Sequence, residues 1–495
     1  MVAIAAVVVL AAPAAAGAQM PGVQPVPIPQ GPGAGDLTQF FGMAATPDPF
    51  FAPRVPRHPF MAPNGRSNLH NDAYQTDVYR QSGPLGRRIR TKSAFMVGPV
   101  LSRECASITF DSRGRIVTVC VGLDMPVLAL LDPDTLMPLA TFDLPPRQPG
   151  AGNPFTDFSG GGYFYLDNRD RVVTSTTTRH IYVVGETPGP DFALRHDYDL
   201  SGTLAGDDKL ISALPDWDGR TWFASVQGVV GWVNRKTEKI HTRDLDAPIG
   251  NSFAVDERGG VYVVTDQALY RLEAHGGKVR VIWSHGYPND GTIKPGQTQA
   301  GSGTTPTLME RGSLVAITDN ADPVHVMVFK RRVHPHGSRV VCREPVFHKG
   351  ASSTDQSLIG AGRSIIAENN YGYSVANTEN GGVTKPGLQR VDLNRDGGGC
   401  HTVWRSRQRG PSVVPKASVH AGLVYTYTKP KRDDDQDAWY LTALDFDTGR
   451  RVWSRLSGEG LGYNNHYAPV TIGPDGTAYV GVLGGLTMFR DAGSG

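Results

Sequence analysis

The stretch "YLTALDFDTGRRVWSRLSGEG", from Tyr440 to Gly460, decides the fold that the sequence predicts. Two runs with alternating apolar residues flank a turn that contains Asp445, Thr448 and Gly449. Alternation with a period of two indicates β-strands, and Asp, Thr and Gly are typical of tight turns. The stretch therefore predicts a β-hairpin.

Hairpins of a related kind recur along the whole chain. Each has a short alternating run, a reversal rich in Asp or Gly, and a second run rich in Val, Ile and Tyr. They begin at Ser107, Tyr163, Ser212, Ser252, Thr305, Ser357, Lys416 and Pro469. Further hairpins lie between them, such as "VLALLDPDTLMPLATFDL" and the opening stretch, so that each repeat supplies four strands. A β-sandwich has similar short strands without this regular pairing. The pattern predicts an all-β, eight-bladed β-propeller of four-stranded antiparallel sheets, spanning residues 76–491.

The last repeat ends after its third strand, at "YVGVLGGLTMFR". The segment "TDVYRQSGPLG" (Thr76–Gly86) is similar to the closing strand "RRVWSRLSGEG". We therefore expect an N-terminal strand to complete the last blade and close the ring, which leaves no open sheet edge. Residues 19–75 are rich in Pro and Gly and have no periodicity, which predicts an arm that packs on the ring or stays mobile.

The "ALDFDTGRRVW" unit, with its D-x-x-T-G…W pattern, resembles the quinoprotein alcohol dehydrogenase-like (PQQ-repeat) superfamily of eight-bladed propellers. The pattern extends over most of residues 76–490, although "LDPDTLMPL" and "VNRKTEKI" are weaker versions of it. The resemblance implies that Trp283, Trp404 and Trp453 pack between blades. It also implies, for catalytic members, a quinone held beside adjacent cysteines, a Ca²⁺ bound by Glu and Asn, and an Asp base. This chain has no adjacent cysteine pair, which favours a site without the usual quinone apparatus.

Composition narrows the class of protein. The chain has 495 residues, of which 19% are charged, and a formal net charge of +2. Lys and Arg are scattered, which argues against a nucleic-acid-binding surface.

The apolar start of the chain ends in Ala16-Gly17-Ala18, a small-x-small pattern that predicts a signal peptide over residues 1–18 and a secreted or periplasmic protein. A transmembrane anchor is the alternative, but the run is short and breaks at Pro13, so no stable membrane span is expected.

The four cysteines predict two disulfides in an oxidising compartment. Cys105 and Cys120 are equidistant from a turn at Ser112–Gly114, so they would face each other across a hairpin. Cys342 and Cys400 each lie in a strand that ends a repeat, where they could join neighbouring repeats.

Polar side chains cluster where innermost strands begin and where second strands end, which are positions on one face of a propeller. Carboxylate and amide oxygens suit Ca²⁺, and a nearby Asp or His could act as a general base. The same residue types also cap simple turns. The predicted catalytic residues are Asp319, Glu368 and His466. The predicted ligand-binding residues are Asn320, Asp355, Asn369, Asn370 and Asn465, and the predicted metal ligands are Glu368, Asn369 and Asp319.

The sequence thus predicts an exported, quinoprotein-like propeller that binds a small molecule or Ca²⁺ at one mouth of its channel. Three alternatives stay open: a PQQ- and Ca²⁺-dependent dehydrogenase of alcohols or sugars, a metal-dependent lactone or ester hydrolase, and a protein-interaction scaffold. PQQ is the less favoured cofactor. No substrate or protein partner follows from the sequence, and it does not decide whether the protein is an enzyme.

Overall fold

Eight antiparallel sheets stand around a central channel in a computed structural model that describes residues 25–98, 101–147, 157, 159–334 and 336–493. The predicted all-β, eight-bladed propeller is confirmed. The last blade packs on the first, where the rings of Phe110 and Tyr479 lie 5.6 Å apart between centroids. The predicted signal peptide, residues 1–18, lies outside the described residues.

The strands are numbered along the chain, and the first strand of each of the eight blades is its innermost. Three strands precede the blades: β1 (Phe40–Gly42), β2 (Val78–Tyr79) and β3 (Arg90–Phe95). Blade 1 contains β4 (Glu104–Phe110), β5 (Ile116–Val121), β6 (Val127–Leu131) and β7 (Pro138–Asp143), and blade 2 contains β8 (Phe164–Leu166), β9 (Val172–Ser175), β10 (His180–Glu186) and β11 (Phe192–Asp199). Blade 3 contains β12 (Leu210–Pro215), β13 (Thr221–Ser225), β14 (Val229–Val233) and β15 (Ile240–Asp244), and blade 4 contains β16 (Ala254–Val255), β17 (Val261–Val264), β18 (Ala268–His275) and β19 (Lys278–Gly286).

The second half of the ring is built in the same way. Blade 5 contains β20 (Thr307–Met309), β21 (Leu314–Thr318), β22 (His325–Lys330) and β23 (Val340–Pro345), and blade 6 contains β24 (Ile359–Ala361), β25 (Ser364–Glu368), β26 (Leu388–Leu393) and β27 (Cys400–Ser406). Blade 7 contains β28 (Lys416–Ser418), β29 (Leu423–Thr428), β30 (Ala438–Asp445) and β31 (Arg451–Glu459), and blade 8 contains β32 (Val470–Ile472), β33 (Ala478–Val482) and β34 (Gly485–Arg490). Short 3₁₀ helices span Ala34–Asp36, Ala376–Thr378 and Leu461–Tyr463. In the described ranges, no helix has the length and apolar character needed to cross a membrane.

An N-terminal strand closes the ring, but it is not the predicted one. Strand β3 pairs antiparallel with β34, with Arg90 opposite Arg490 and Phe95 opposite Gly485, and completes blade 8. The prediction of Thr76–Gly86 as the closing strand is wrong. Within that segment, β2 instead pairs in parallel with β28, the innermost strand of blade 7. The sequence similarity to Arg450–Gly460 indicated that the segment contains a strand, but it carried no information about the strand with which that strand pairs.

The first hairpin of blades 1 to 4 ends its innermost strand on a buried Asp. One carboxylate oxygen of each accepts backbone N–H bonds from the residues two and four positions later, which fixes the turn. These residues are Asp111, Asp167, Asp216 and Asp256, with distances of 2.8–3.0 Å. The D-x-x-G-like reversals in the sequence therefore have a direct structural cause.

The D-x-x-T-G turn of blade 7 is fixed by a second arrangement. Asp445 Oδ1 accepts hydrogen bonds from the Thr448 backbone N–H at 2.8 Å and from its hydroxyl at 2.6 Å. Gly449 has a φ of +66°, and a Cβ placed on it would lie 2.5 Å from the Trp404 ring of blade 6. The glycine is therefore required by the turn and by the close approach of the neighbouring blade.

Replacing Gly449 with alanine is expected to lower the free energy of unfolding by about 1–3 kcal/mol, because the added methyl group must displace Trp404 and adopt an unfavourable φ. Chemical unfolding would measure the loss. Gly397→Ala is a matched control, since Gly397 also has a positive φ (+78°) but no described atom lies within 4 Å of its Cβ position. Equal losses in the two variants would contradict the packing argument.

The tryptophans of the outer strands pack between blades, as predicted. Trp404 Nε1 donates to the Phe446 carbonyl oxygen of blade 7 at 2.9 Å, and Trp283 Nε1 donates to the Arg331 carbonyl oxygen of blade 5 at 3.2 Å. Trp453 is fully buried, and Phe40 of β1 stacks on it at 6.4 Å between ring centroids. The outer face of blade 7 is thus covered by part of the N-terminal arm.

Residues 61–79, here called the channel plug, lie along the inner edges of the blades. Innermost strands have an edge of backbone groups that faces the channel and needs hydrogen-bond partners. Four carbonyl oxygens of the plug accept N–H bonds from the innermost strands of blades 4, 5, 6 and 7: Ala73 from Val255, Tyr74 from Leu308, Thr76 from Gly360 and Asp77 from Ala417, at 2.9–3.0 Å. The plug also exchanges backbone hydrogen bonds with Leu166 of blade 2, so it fills part of the channel and joins at least five blades.

Both predicted disulfides are confirmed. Cys105–Cys120 links β4 and β5 within blade 1. Cys342–Cys400 links the outer strands of blades 5 and 6 across a separation of 58 residues. The second bond ties two neighbouring sheets together at the rim.

Candidate functional site

Two adjoining cavities lie at the face where the innermost strands begin. The inner cavity, of about 90 Å³, is lined by the segments that lead into the innermost strands of blades 2, 4, 5, 6, 7 and 8, by β4 and β5, and by the channel plug. The outer cavity, of about 250 Å³, opens beside it. Glu104, Val121 and His466 line both, so these residues stand at their junction. The convergence of distant lead-in segments places the inner cavity at the ring axis.

The plug supplies part of the wall of the inner cavity. Leu69 and His70 line it, and they lie between two plug contacts with the innermost strands: Asn68 bridges Tyr165 of blade 2, and Asp77 bonds to blade 7. Residues 66–79 are almost entirely buried. The plug is therefore a fixed, buried part of the wall of the inner cavity.

Asp355 is the predicted ligand-binding residue with the clearest place in the inner cavity. Its Oδ2 accepts hydrogen bonds from the Thr298 backbone N–H at 2.7 Å and from the Thr298 hydroxyl at 2.8 Å. Its Oδ1 is buried and has no hydrogen-bond partner in the described part of the chain. Burial raises the pKa of Asp355 to about 7, against the effect of the Thr298 bonds. Near neutral pH this carboxyl group can therefore accept or donate a proton.

Glu104 and His466 form the junction with the outer cavity. Burial raises the pKa of Glu104 well above its ordinary value, and Oε1 has no hydrogen-bond partner among the residues that the structure describes. His466 Nδ1 lies 2.9 Å from the Tyr373 hydroxyl, which donates to Asn464 Oδ1 at 3.0 Å. The carboxyl group of Glu104 and the positioned imidazole of His466 thus both line the junction of the two cavities.

Asp319 and Asn320, both predicted for the mouth, stabilise loops instead. Asp319 Oδ1 accepts the His325 backbone N–H at 2.7 Å, and Oδ2 lies 2.8 Å from His325 Nδ1. Asn320 donates to Asn289 Oδ1 at 2.9 Å and to the Thr292 carbonyl oxygen at 3.0 Å. These contacts fit turn stabilisation, the alternative that the sequence left open.

The three other predicted asparagines also hold backbone. Asn369 donates to the carbonyl oxygens of Ala351 and Pro386, and its own oxygen accepts from the backbone N–H groups of Ser353 and Tyr371. Asn370 donates to the Gly296 carbonyl oxygen at 2.6 Å, and Asn465 to that of Ala468 at 3.0 Å. These side chains shape the face that contains the cavities.

Glu368 lies between blades 6 and 7, away from the lining of the inner cavity. A Cβ placed on Gly410 would collide with its carboxylate and would lie 3.0 Å from Thr426 Oγ1. The side chain is fully buried, and neither carboxylate oxygen has a hydrogen-bond partner within the described ranges. Burial raises the pKa of Glu368 well above its ordinary value.

The predicted metal ligands do not form a ligand set. Asp319 and Asn369 use their side-chain oxygens in their own loops, and Glu368 stands apart between blades. Over the described residues, no group of three or more His, Cys, Asp or Glu side chains is placed to hold a metal ion. For a quinone, all four cysteines join distant positions in disulfides, so the residues present do not fit the adjacent pair that the resemblance implies. Ca²⁺ and PQQ stay predictions.

Sequence reasoning missed Glu104, His70 and Tyr163 as cavity residues. Glu104 opens a strand beside Cys105, and its position at the start of an innermost strand was a usable signal. His70 lies in the aperiodic arm, where local sequence carries no information about position. The segments that lead into innermost strands, one of the two groups of predicted positions, line the inner cavity together with the plug. Its lining residues do not include the predicted residues near the ends of second strands: Asp319, Asn320, Glu368, Asn369 and Asn370.

Comparison with known proteins supports the architecture. No protein-family model matches the chain. An uncharacterized protein of Archaeoglobus fulgidus is 27% identical over 366 residues, which cover 67% of this chain and 70% of that protein. Among solved structures, a europium-containing methanol dehydrogenase aligns over 85% of this chain and 90% of its own, with 10% identity and a TM-score of 0.54. At this identity the likeness shows the propeller fold alone, and membership of the PQQ-repeat superfamily stays a prediction.

Proposed function

We propose that the protein is an exported β-propeller that binds a small organic molecule in the inner cavity. The observation that carries this proposal is that two buried carboxyl groups, those of Asp355 and Glu104, line the inner cavity. Each has an oxygen without a hydrogen-bond partner among the described residues. An unsatisfied buried polar group costs about 1–3 kcal/mol, which a bound molecule that donates hydrogen bonds would recover.

The linings of the two cavities support a ligand with one polar and one apolar part. Carboxyl oxygens in the inner cavity can accept hydrogen bonds, so they suit a ligand whose hydroxyl or amine groups donate them. The outer cavity is lined largely by apolar side chains, including Leu101, Leu123, Leu461 and Leu483, which suit an apolar portion of the same molecule. Because Glu104 and His466 line both cavities, they would contact the ligand where its polar and apolar parts meet.

The export proposal has separate support. The sequence predicts a signal peptide, and the chain carries two disulfides. Disulfides persist mainly in oxidising compartments such as the periplasm and the extracellular space.

Compounds with donors at one end of a short aliphatic chain, such as 1,2-hexanediol and 2-amino-1-hexanol, are expected to raise the Tm of the protein. A ligand at 100 times its Kd stabilises the folded state by about 2.7 kcal/mol. Asp355→Asn places an amide donor where the ligand also donates, so it should weaken binding about 10-fold or more. Thermal unfolding and titration calorimetry would measure both effects.

The exposed Asp244 on blade 3 offers a matched control, Asp244→Asn, which should leave binding unchanged. The proposal is wrong if no donor-bearing compound shifts the Tm at 10 mM, taken as roughly 100 times a Kd near 0.1 mM. It is equally wrong if Asp355→Asn and Asp244→Asn bind such a compound with the same Kd.

A further inference from the structure

A serine, a histidine and an aspartate stand in line at the wall of the inner cavity. Ser357 Oγ lies 3.4 Å from His70 Nε2, and His70 Nδ1 lies 3.0 and 3.1 Å from the two carboxylate oxygens of Asp77. Ser357 and His70 both line the cavity, whereas Asp77 is fully buried behind them. Ser357 comes from the lead-in segment of blade 6, and the other two residues come from the channel plug.

The contacts of Asp77 fix the protonation pattern of His70. Asp77 is ion-paired with the buried Lys416, whose Nζ also donates to the Leu69 carbonyl oxygen at 2.5 Å. An ionised carboxylate accepts hydrogen bonds only, so His70 must donate from Nδ1. In a neutral imidazole this leaves a lone pair on Nε2, facing the Ser357 hydroxyl. Burial lowers the pKa of His70 against the opposing effect of Asp77, and the lowered pKa favours the neutral ring.

A donor for a developing negative charge lies next to the serine. Gln356 lines the same cavity and is almost fully buried. Neither its side-chain nitrogen nor its side-chain oxygen has a hydrogen-bond partner in the part of the chain that is described. An amide N–H with no other partner is suited to stabilise an oxyanion in a site that excludes bulk water.

We propose that Ser357 and His70 are catalytic residues for acyl transfer from a small ester or lactone to water, with Asp77 as the positioning residue and Gln356 as the oxyanion donor. This inference rests on the proposed function, since it requires that the inner cavity admits an organic molecule. It names the substrate class as a carboxylic ester, and it needs no metal ligand.

The reaction balances with water as the second substrate. Ser357 Oγ attacks the carbonyl carbon while its proton passes to His70 Nε2, and the oxyanion forms at Gln356. The carbon–oxygen bond to the leaving alcohol then breaks, and His70 returns the proton to that oxygen. Water attacks the acylated serine and gives a proton to His70, and the ester bond to Ser357 breaks. His70 protonates Ser357 Oγ again, and a carboxylic acid leaves.

Methanesulfonyl fluoride tests the serine with a group small enough for this cavity. The full-length folded protein should gain one methanesulfonyl group with loss of fluoride, and peptide mapping should place it on Ser357. Ser357→Ala should abolish this modification, and His70→Gln should slow it by about 10²-fold or more. Hydrolysis of ethyl acetate and γ-butyrolactone, followed by acid release, should show the same losses.

Ser353→Ala is the matched control. Ser353 is buried in the same lead-in segment, but its hydroxyl donates to the Pro295 carbonyl oxygen at 2.8 Å rather than facing a histidine. This variant should label and hydrolyse like the wild type. Asp77→Asn should lower kcat and leave KM within about twofold, because a positioning residue acts on the base and not on binding.

The outcomes separate this inference from the proposed function. If donor-bearing compounds bind and Ser357 is never modified, or if Ser357→Ala keeps the wild-type hydrolysis rate, the serine is not a nucleophile and the inference is wrong. If Ser357 is modified in a His70-dependent manner and no diol or amino alcohol binds, the inference stands and the proposed ligand class is wrong. Ser357→Ala removes only a hydroxyl group, so this arm does not depend on whether the His70 or Asp77 variants fold.

Discussion

Asp77→Asn is expected to lower the free energy of unfolding by about 3–5 kcal/mol. Asp77 and Lys416 are both fully buried and ion-paired. Removing the carboxylate leaves the ammonium group of Lys416 in the interior without its partner. Burial already lowers the pKa of Lys416 against the opposing effect of Asp77, so the lysine must lose its proton or remain as an uncompensated charge. Chemical unfolding at pH 7 would measure the loss.

A double variant shows whether the lost stability comes from the unpaired charge or from a change in the shape of the site. Asp77→Asn with Lys416→Met removes both charges at similar volume, so we expect most of the lost stability to return. Asp218→Asn breaks an ion pair with Arg220 in which Asp218 is 68% exposed, and this control should cost less than about 1 kcal/mol. A loss at Asp77 no larger than the control loss would contradict the proposed importance of the buried pair.

Glu368→Gln is expected to change how stability depends on pH. The pKa of Glu368 is raised by burial, from an ordinary value of 4.5 in the unfolded chain. Between these two pKa values the folded protein keeps a proton that the unfolded chain has lost, so the wild type loses stability as pH rises. The variant has no such proton. Its stability relative to the wild type should therefore increase by up to about 1.4 kcal/mol per pH unit above 4.5.

Chemical unfolding of both proteins at pH 4, 5, 6 and 7 would test this. Near pH 4 the glutamate is protonated in the folded and unfolded states, so the difference measured there reports only the change from acid to amide. A difference that grows with pH supports an uncompensated buried carboxyl group. Parallel curves over the whole range would show that Glu368 is compensated by a contact that its surroundings do not suggest.

The ring of hairpins could be predicted from the sequence because each hairpin is a local feature. Asp111 and Asp445 make bonds to residues only a few positions away, and the residue types that make those bonds are visible in the sequence. The same is true of the Cys105–Cys120 pair, which a single turn brings together. Local chemistry therefore determined the class of fold and the number of blades.

The closing strand and the plug could not be predicted in this way. Arg90–Phe95 and Thr76–Gly86 both have strand character, and only their distant partners, Arg490 for Arg90 and Ala417 for Val78, decide which completes blade 8. His70 and Asp77 occur in a segment without periodicity, because it forms irregular turns and its bonds to other residues go to the edges of several blades. A pattern search along the chain has no access to such contacts.

In the candidate site, too, some features could be predicted from the sequence and others could not. Asp355 and His466 were predicted from their places before innermost strands, and both line the inner cavity. Asp319 and Asn369 satisfy the same rule of polar residues near one face, yet their oxygens hold loops. Residue type and approximate position could be predicted, whereas the direction of each side chain depends on packing between blades.

The plug also constrains the order of events while the chain is being made. Asp77 emerges from the ribosome 339 residues before its partner Lys416, and Arg90–Phe95 emerges long before β34. Asp77 of the plug and strand β3 therefore remain without these partners until synthesis is nearly complete. Such non-local pairing is associated with slow folding. A protein truncated before blade 7 would leave Asp77 without Lys416 and β3 without β34, although the plug could still bond to blades 4, 5 and 6.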